Sequence, residues 1–131
     1  MSKTPHRRPT VLVVDDIEDN RAVLRYFLTK KYECRVIEAA DGQEALKLAV
    51  RESPVLILMD IGLPRDDGLV VVAQMRKRRR LQSVPIIAVT AYDSPALRLE
   101  AQKAGITDYV TKPPHPEEFG KLIGKFLQPT A

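Results

Sequence analysis

The amino-acid sequence predicts an α/β fold, a parallel sheet of five strands covered by helices on both faces. Two observations carry the prediction. Continuous apolar runs rich in β-branched residues, "VLVVD" at 11–15, "PVLILMD" at 54–60 and "VPIIAVT" at 84–90, have the length and composition of buried strands. Between them lie longer stretches of helical spacing joined by short loops, and strands that alternate with helices in this way lie parallel.

Each element can be justified in order. "VLVVD" is the first strand and runs into two adjacent carboxylates, Asp15 and Asp16. "EDNRAVLRYFLTKK" (18–31) is an amphipathic helix with Val23, Leu24, Phe27 and Leu28 on one face. "CRVIEA" (34–39) alternates enough to sit at a sheet edge, and "DGQEALKLAVRE" (41–52) is a helix turning Ala45, Leu46, Leu48 and Ala49 inward. "PVLILMD" is the most continuous apolar strand and again closes on an aspartate, Asp60. After "IGLPRDDG", a loop broken by Pro64 and Gly68, "LVVVAQMRKRRR" (69–80) reads as a third helix with a basic C-terminus. "VPIIAVT" is the fourth strand. "SPALRLEAQKAG" (94–105) has Ser94 as N-cap, Pro95 at the first helical position and Gly105 as C-cap. "DYVT" (108–111) is a short fifth strand, and "PEEFGKLIGKFL" (116–127) is the last helix, with Glu117 and Glu118 in its first turn.

Composition narrows the setting. The 131 residues suit one folded domain, 9–128, between a disordered basic tail at 1–8 and a short tail at 129–131. The single cysteine, Cys34, forms no internal disulfide and reads as a buried structural thiol, which fits a reducing cytoplasm. No apolar run approaches the roughly 18 residues of a membrane span, so no membrane partner is expected. The start, "MSKTPHRRPT", lacks the apolar core of a signal peptide. The net charge of +4 is concentrated in Arg7, Arg8 and the run "RKRRR" at 76–80, which reads as a solvated helix end; a nucleic-acid partner is not expected.

In parallel α/β sheets the functional crevice lies beyond the carboxyl ends of the strands, where strand order reverses. Strand one delivers Asp15 and Asp16 there, strand three Asp60, strand four Thr90 and strand five Lys112. Three clustered carboxylates repel one another unless a hard cation sits among them. Magnesium suits that donor set because it takes oxygen ligands, keeps several waters and binds alongside phosphate oxygens. No His/Cys cluster favours zinc, since His6 and His115 lie in the tail and a loop. A carboxylate can attack phosphorus, and the transferring phosphoryl group needs a metal, a lysine and a hydroxyl to neutralise its oxygens. Asp60 is then the nucleophile, Asp15 and Asp16 surround the metal, and Lys112 and Thr90 meet the phosphoryl oxygens.

These residues resemble the receiver domain of bacterial two-component response regulators over about Pro9 to Leu127. The acidic pair after strand one, "LMDIGLP..DG" around Asp60, "VTAY" at strand four and "DYVTKP" at strand five carry the resemblance jointly. It implies the flavodoxin-like, doubly wound sheet order 2-1-3-4-5. It further implies that a histidine kinase or histidine phosphotransfer protein donates a phosphoryl group to Asp60, and that the chain catalyses the transfer and loss of that group itself without being a conventional enzyme. Gly62 resembles the position whose backbone carbonyl meets the magnesium. Tyr109 resembles the aromatic switch that turns inward as Thr90 moves toward the phosphoryl group, and Lys112–Pro113 resembles the family's cis peptide. Pro114 departs from the apolar or aromatic residue common in the family and stiffens the loop.

Other expectations follow from that resemblance. Gly62 and Tyr92 border the path by which water reaches the phosphoryl group and so set its lifetime. Output passes to a downstream protein through helix four, strand five and helix five. Met1 favours a natural start, and after Leu127 only "QPTA" remains, so a stand-alone regulator and a receiver excised from a hybrid kinase or larger regulator are both open. An alternative reading is a receiver-fold interaction module that works without phosphorylation; the intact acidic set argues against it. A flavin or nucleotide site is disfavoured because no Gly-rich phosphate loop follows strand one, and a small-molecule phosphatase because the loops are too short to form a cap.

Overall fold

The computed structural model describes residues 8–62 and 67–130. The basic start up to Arg7 and the part of the "IGLPRDDG" loop that holds Pro64 lie outside the described residues. Five strands, β1 (Thr10–Val14), β2 (Arg35–Ala39), β3 (Leu56–Met59), β4 (Ile86–Thr90) and β5 (Asp108–Thr111), form one sheet in the order β2-β1-β3-β4-β5. All neighbouring strands are parallel. The helices between them are α1 (Glu18–Lys31), α2 (Gly42–Glu52), α3 (Gly68–Arg76), α4 (Pro95–Ala104) and α5 (Pro116–Ile123).

The period of two along the strands sorts the core into two layers. Leu12, Val14, Ile57, Met59, Ile86 and Ala88 pack under α2, α3 and α4, against Ala45, Ala49, Val72, Met75 and Ala101. Val11, Val13, Leu56, Leu58, Ile87 and Val89 face the other way, against Leu24 and Leu28 of α1 and Phe119 and Ile123 of α5. Burial on both sides explains why β1, β3 and β4 read as unbroken apolar runs. β2 is a half-exposed edge, as its alternation suggests.

Caps fall where their chemistry predicts. The Ser94 hydroxyl accepts the Leu97 N–H at 3.0 Å, the Asp41 carboxylate accepts the Glu44 N–H at 2.8 Å, and Gly105 ends α4 at φ 116°. Three boundaries differ from expectation. Helix α3 stops at Arg76 and a single 3-10 turn follows at Arg79–Leu81, so "RKRRR" is not one helix end. The half-buried Arg76 guanidinium folds back onto the carbonyls of Leu81, Val84 and Gly105 at 2.7–2.9 Å, and the turn buries Leu81. Helix α5 stops at Ile123 because Gly124 is a poor helix former and the chain turns to bury Leu127. The segment beyond Leu127 lies against the end of α1, where Thr130 N–H donates to the Lys31 carbonyl at 2.7 Å. Val23, expected on the buried stripe of α1, is exposed; Leu24, Phe27 and Leu28 alone seat the helix, and Val23 borders a cleft beside Lys112 and Pro113.

Candidate functional site

Strand order reverses between β1 and β3, and the carboxyl ends of these two strands open the crevice. The backbone ladder continues one residue past each strand, which fixes where the polar side chains start. Asp15 N–H donates to the Ala39 carbonyl at 3.1 Å, Asp60 N–H to Val14 at 2.9 Å and Lys112 N–H to Thr90 at 2.7 Å. The peptide between Lys112 and Pro113 is cis.

Asp15, Asp16 and Asp60 each bring a carboxylate oxygen to within 4.8 Å of the others. Asp15 is 1% exposed and Asp60 8%, whereas Asp16 stands in solvent. Lys112 Nζ reaches between two of them, 2.6 Å from Asp15 Oδ2 and 3.0 Å from Asp60 Oδ2. Burial weighs against the ammonium, but its bonds to Asp15 and Asp60 outweigh that cost, and the lysine pKa is raised. The other oxygens have backbone partners: Asp60 Oδ1 accepts the Gly62 N–H at 2.8 Å, and Asp15 Oδ1 accepts the Ile17 N–H at 2.9 Å. Three carboxylates against one ammonium leave the cluster with net negative charge. Its donors are hard oxygens, and one of them is open to water. That set fits a magnesium ion that keeps part of its hydration shell.

Thr90 is fully buried at the end of β4, and its hydroxyl accepts the Tyr92 N–H at 3.3 Å; among the described residues no hydrogen bond joins it to Asp60. Tyr109 is half-buried, donates its hydroxyl to the Tyr92 carbonyl, and stacks under the Arg98 guanidinium at 4.7 Å. Burial raises the Tyr109 pKa, with the nearby Asp93 carboxylate adding to the shift. Tyr92 itself is 67% exposed. A Cβ added at Gly62 would lie 3.4 Å from both Asp60 Oδ1 and the Tyr92 ring, so Gly62 and Tyr92 face each other beside the acidic group.

Sequence reasoning missed three contributors. Asn20 Nδ2 approaches both Asp15 oxygens at 3.3 and 3.5 Å, and Arg21 Nη1 donates to the Asp15 carbonyl at 2.7 Å. Both sit on the first turns of α1, one helical turn beyond the acidic pair, and that proximity was the available signal. Gly68 is the third: a Cβ there would come within 2.5 Å of the Ile61 backbone, so only glycine lets α3 start against the segment that follows Asp60.

Comparison with known proteins agrees with this geometry. The family described as "Response regulator receiver domain" matches residues 11–123. An uncharacterized 14.6 kDa protein of Leptolyngbya boryana is 36% identical, the match covering 88% of each chain. The alkaline phosphatase synthesis transcriptional regulatory protein PhoP of Bacillus subtilis is 39% identical over 90% of this chain but only 48% of its own length. The chain thus spans about half of that relative, and 22% of the response regulator PleD of Caulobacter vibrioides. Among solved structures, chemotaxis protein CheY4 of Vibrio cholerae superposes with a TM-score of 0.85 at 30% identity, covering 92% of this chain and 99% of that one. With the strand order, the acidic cluster and these likenesses in hand, the chain belongs to the receiver domains of two-component response regulators.

Proposed function

We propose that this receiver takes a phosphoryl group onto Asp60 from the phosphohistidine of a histidine kinase or phosphotransfer protein, with magnesium held by Asp15, Asp16, Asp60 and the Gly62 carbonyl. The observation that carries the reading is the Lys112 ammonium seated between Asp15 and Asp60 at the crossover of the sheet. A bound magnesium supplies neutralisation for charge spread over the phosphoryl oxygens. An Asp60 carboxylate oxygen forms the new O–P bond as the donor's N–P bond breaks, and the electron pair leaves with the donor imidazole, which takes up a proton. The carboxylate loses its charge in that step, so Lys112 turns from Asp60 to a phosphoryl oxygen while keeping Asp15. Thr90 exchanges its bond with the Tyr92 amide for a phosphoryl oxygen. Tyr109 hangs from the carbonyl of that same Tyr92, which supports the pairing of Thr90 and Tyr109 as the switch. Output then passes through the face of α4, β5 and α5 to a downstream protein, and residues 9–128 act as one cytoplasmic receiver unit.

The test is to incubate the protein with a small acyl phosphate and follow the mass of the Asp60 peptide. Labelling that needs magnesium and vanishes in Asp60→Asn is expected. Labelling without magnesium, or labelling retained in Asp60→Asn, would overturn the reading.

A further inference from the structure

Asp16 differs from the other two carboxylates in being exposed. Its direction is therefore set by the backbone that carries it. The carbonyl of Asp15 and the N–H and Cα of Asp16 share one peptide plane, so whatever holds that carbonyl also aims the Asp16 side chain. Arg21 holds it, through Nη1 at 2.7 Å. The same guanidinium is braced from the edge strand: Nε donates to Glu38 Oε1 at 3.0 Å, while the second Glu38 oxygen accepts from Arg25. The Arg21 side chain is only 14% exposed, so the brace is a largely buried connection from β2 through α1 to the acidic loop. Two donors in a rigid fork serve two different targets here, a carbonyl and a carboxylate, which a lysine cannot do.

We propose that Arg21, oriented by Glu38, is a positioning residue that aims Asp16 at the metal, a role that rests on the magnesium reading of the site. Charge and geometry make opposite demands at this position. As a cation close to the carboxylates, Arg21 by itself weakens attraction for a divalent ion, so a purely electrostatic role predicts tighter magnesium binding when it is removed. A positioning role predicts weaker binding, because groups that orient metal ligands typically contribute 10- to 100-fold in affinity.

Magnesium chloride titrated calorimetrically into the unphosphorylated protein separates the two. We expect about tenfold weaker binding in Arg21→Met, a loss similar to that in Asp16→Asn. Arg21→Lys, which keeps the charge but lacks the fork, should recover only part of the affinity, and Glu38→Gln should weaken binding less than Arg21→Met. Arg76→Met, a destabilising change at the opposite end of the sheet, serves as control and should leave affinity unchanged. Unchanged or tighter binding in Arg21→Met, or full recovery by Arg21→Lys, overturns the inference. If Arg21→Met does not fold, Arg21→Lys and Glu38→Gln decide it on the same terms. A parent protein that takes up no magnesium would sink the proposed function and this inference with it. Uptake that is equal in the parent and the variants would sink the inference alone.

Discussion

The two ends of the same sheet carry opposite charge, and they handle it differently. At the carboxyl end of the strands stand Asp15, Asp16 and Asp60; at the amino end stand Arg8, Arg35, Arg51 and the arginine-rich segment after α3. Helix dipoles account for the signs, since every helix runs antiparallel to the strands and presents its N-terminus to the carboxylates. They do not account for the spacing. Glu52 is shared by Arg35 at 2.8 Å and Arg51 at 2.9 Å, Arg76 spends its donors on carbonyls, and the remaining cations stand in solvent. The arginine end is thus satisfied as it stands. The acidic end holds like charges within 4.8 Å with a single ammonium between them, an arrangement that only a ligand completes. Unmet charge, rather than charge alone, separates a functional end from a structural one.

The contrast can be broken most forcefully at Arg76. Arg76→Met leaves three carbonyls without their charged donor and is expected to lower stability by about 3 kcal/mol in urea unfolding, with magnesium affinity unchanged. Weaker metal binding in that variant would show the two ends to be coupled. At the acidic end, Lys112→Ala should slow phosphoryl uptake about a hundredfold, some 2.7 kcal/mol of barrier, and single-turnover labelling measures it.

The two ends also differ in their response to pH. The Lys112 pKa is raised in the folded protein, so its stabilising contribution is complete below lysine's ordinary pKa of about 10.5 and is lost as pH rises through the folded value. The Glu52 pKa is lowered, chiefly by its bonds to Arg35 and Arg51, so its contribution is present above the ordinary carboxylate range and is lost as pH falls through the folded value. Unfolding measured across pH should therefore lose the Lys112 contribution in the parent, but not in Lys112→Ala, at the alkaline limit. The Glu52 contribution should be lost in acid, and not in Glu52→Gln.

Smaller effects sharpen the picture. Gly62 opens one side of the path to Asp60 and Tyr92 narrows the other, and neither orients water. Decay of the phosphoryl group is expected to be moderately slow and to quicken by up to about tenfold, roughly 1.4 kcal/mol, in Tyr92→Ala or Gly62→Asn. Equal decay in all three proteins would remove these positions from control of the lifetime. Least of all should follow from replacing Arg78, Arg79 and Arg80 with serine, for which a stability change within about 0.5 kcal/mol is expected. Nucleic-acid binding that persists at physiological salt and disappears in that variant would make the arginine end functional after all.

The sequence was most legible where one local rule decides the outcome. Buried strands show as unbroken apolar runs, Ser94 and Gly105 mark the ends of α4, and the carboxylates Asp15, Asp16 and Asp60 follow directly from strand ends. It was least legible where a distant partner decides. Nothing local to "RKRRR" says that Arg76 leaves the run to bind carbonyls of Leu81, Val84 and Gly105. Nothing in "EDNR" says that Arg21 is braced by Glu38, which pairs into the sheet from another strand. Val23 satisfies the helical period and is nonetheless exposed, because periodicity gives the direction of a stripe and not its width.

The hydroxyl that Tyr109 gives to the Tyr92 carbonyl has an optical consequence. The chain has four tyrosines and no tryptophan, so its ultraviolet emission comes from tyrosine alone and no indole masks it. Two of the four emitters meet at this one bond, beside the acidic cluster. Any event that pulls Thr90 from the Tyr92 amide disturbs both rings at once, and the unlabelled protein carries its own fluorescent readout of the switch.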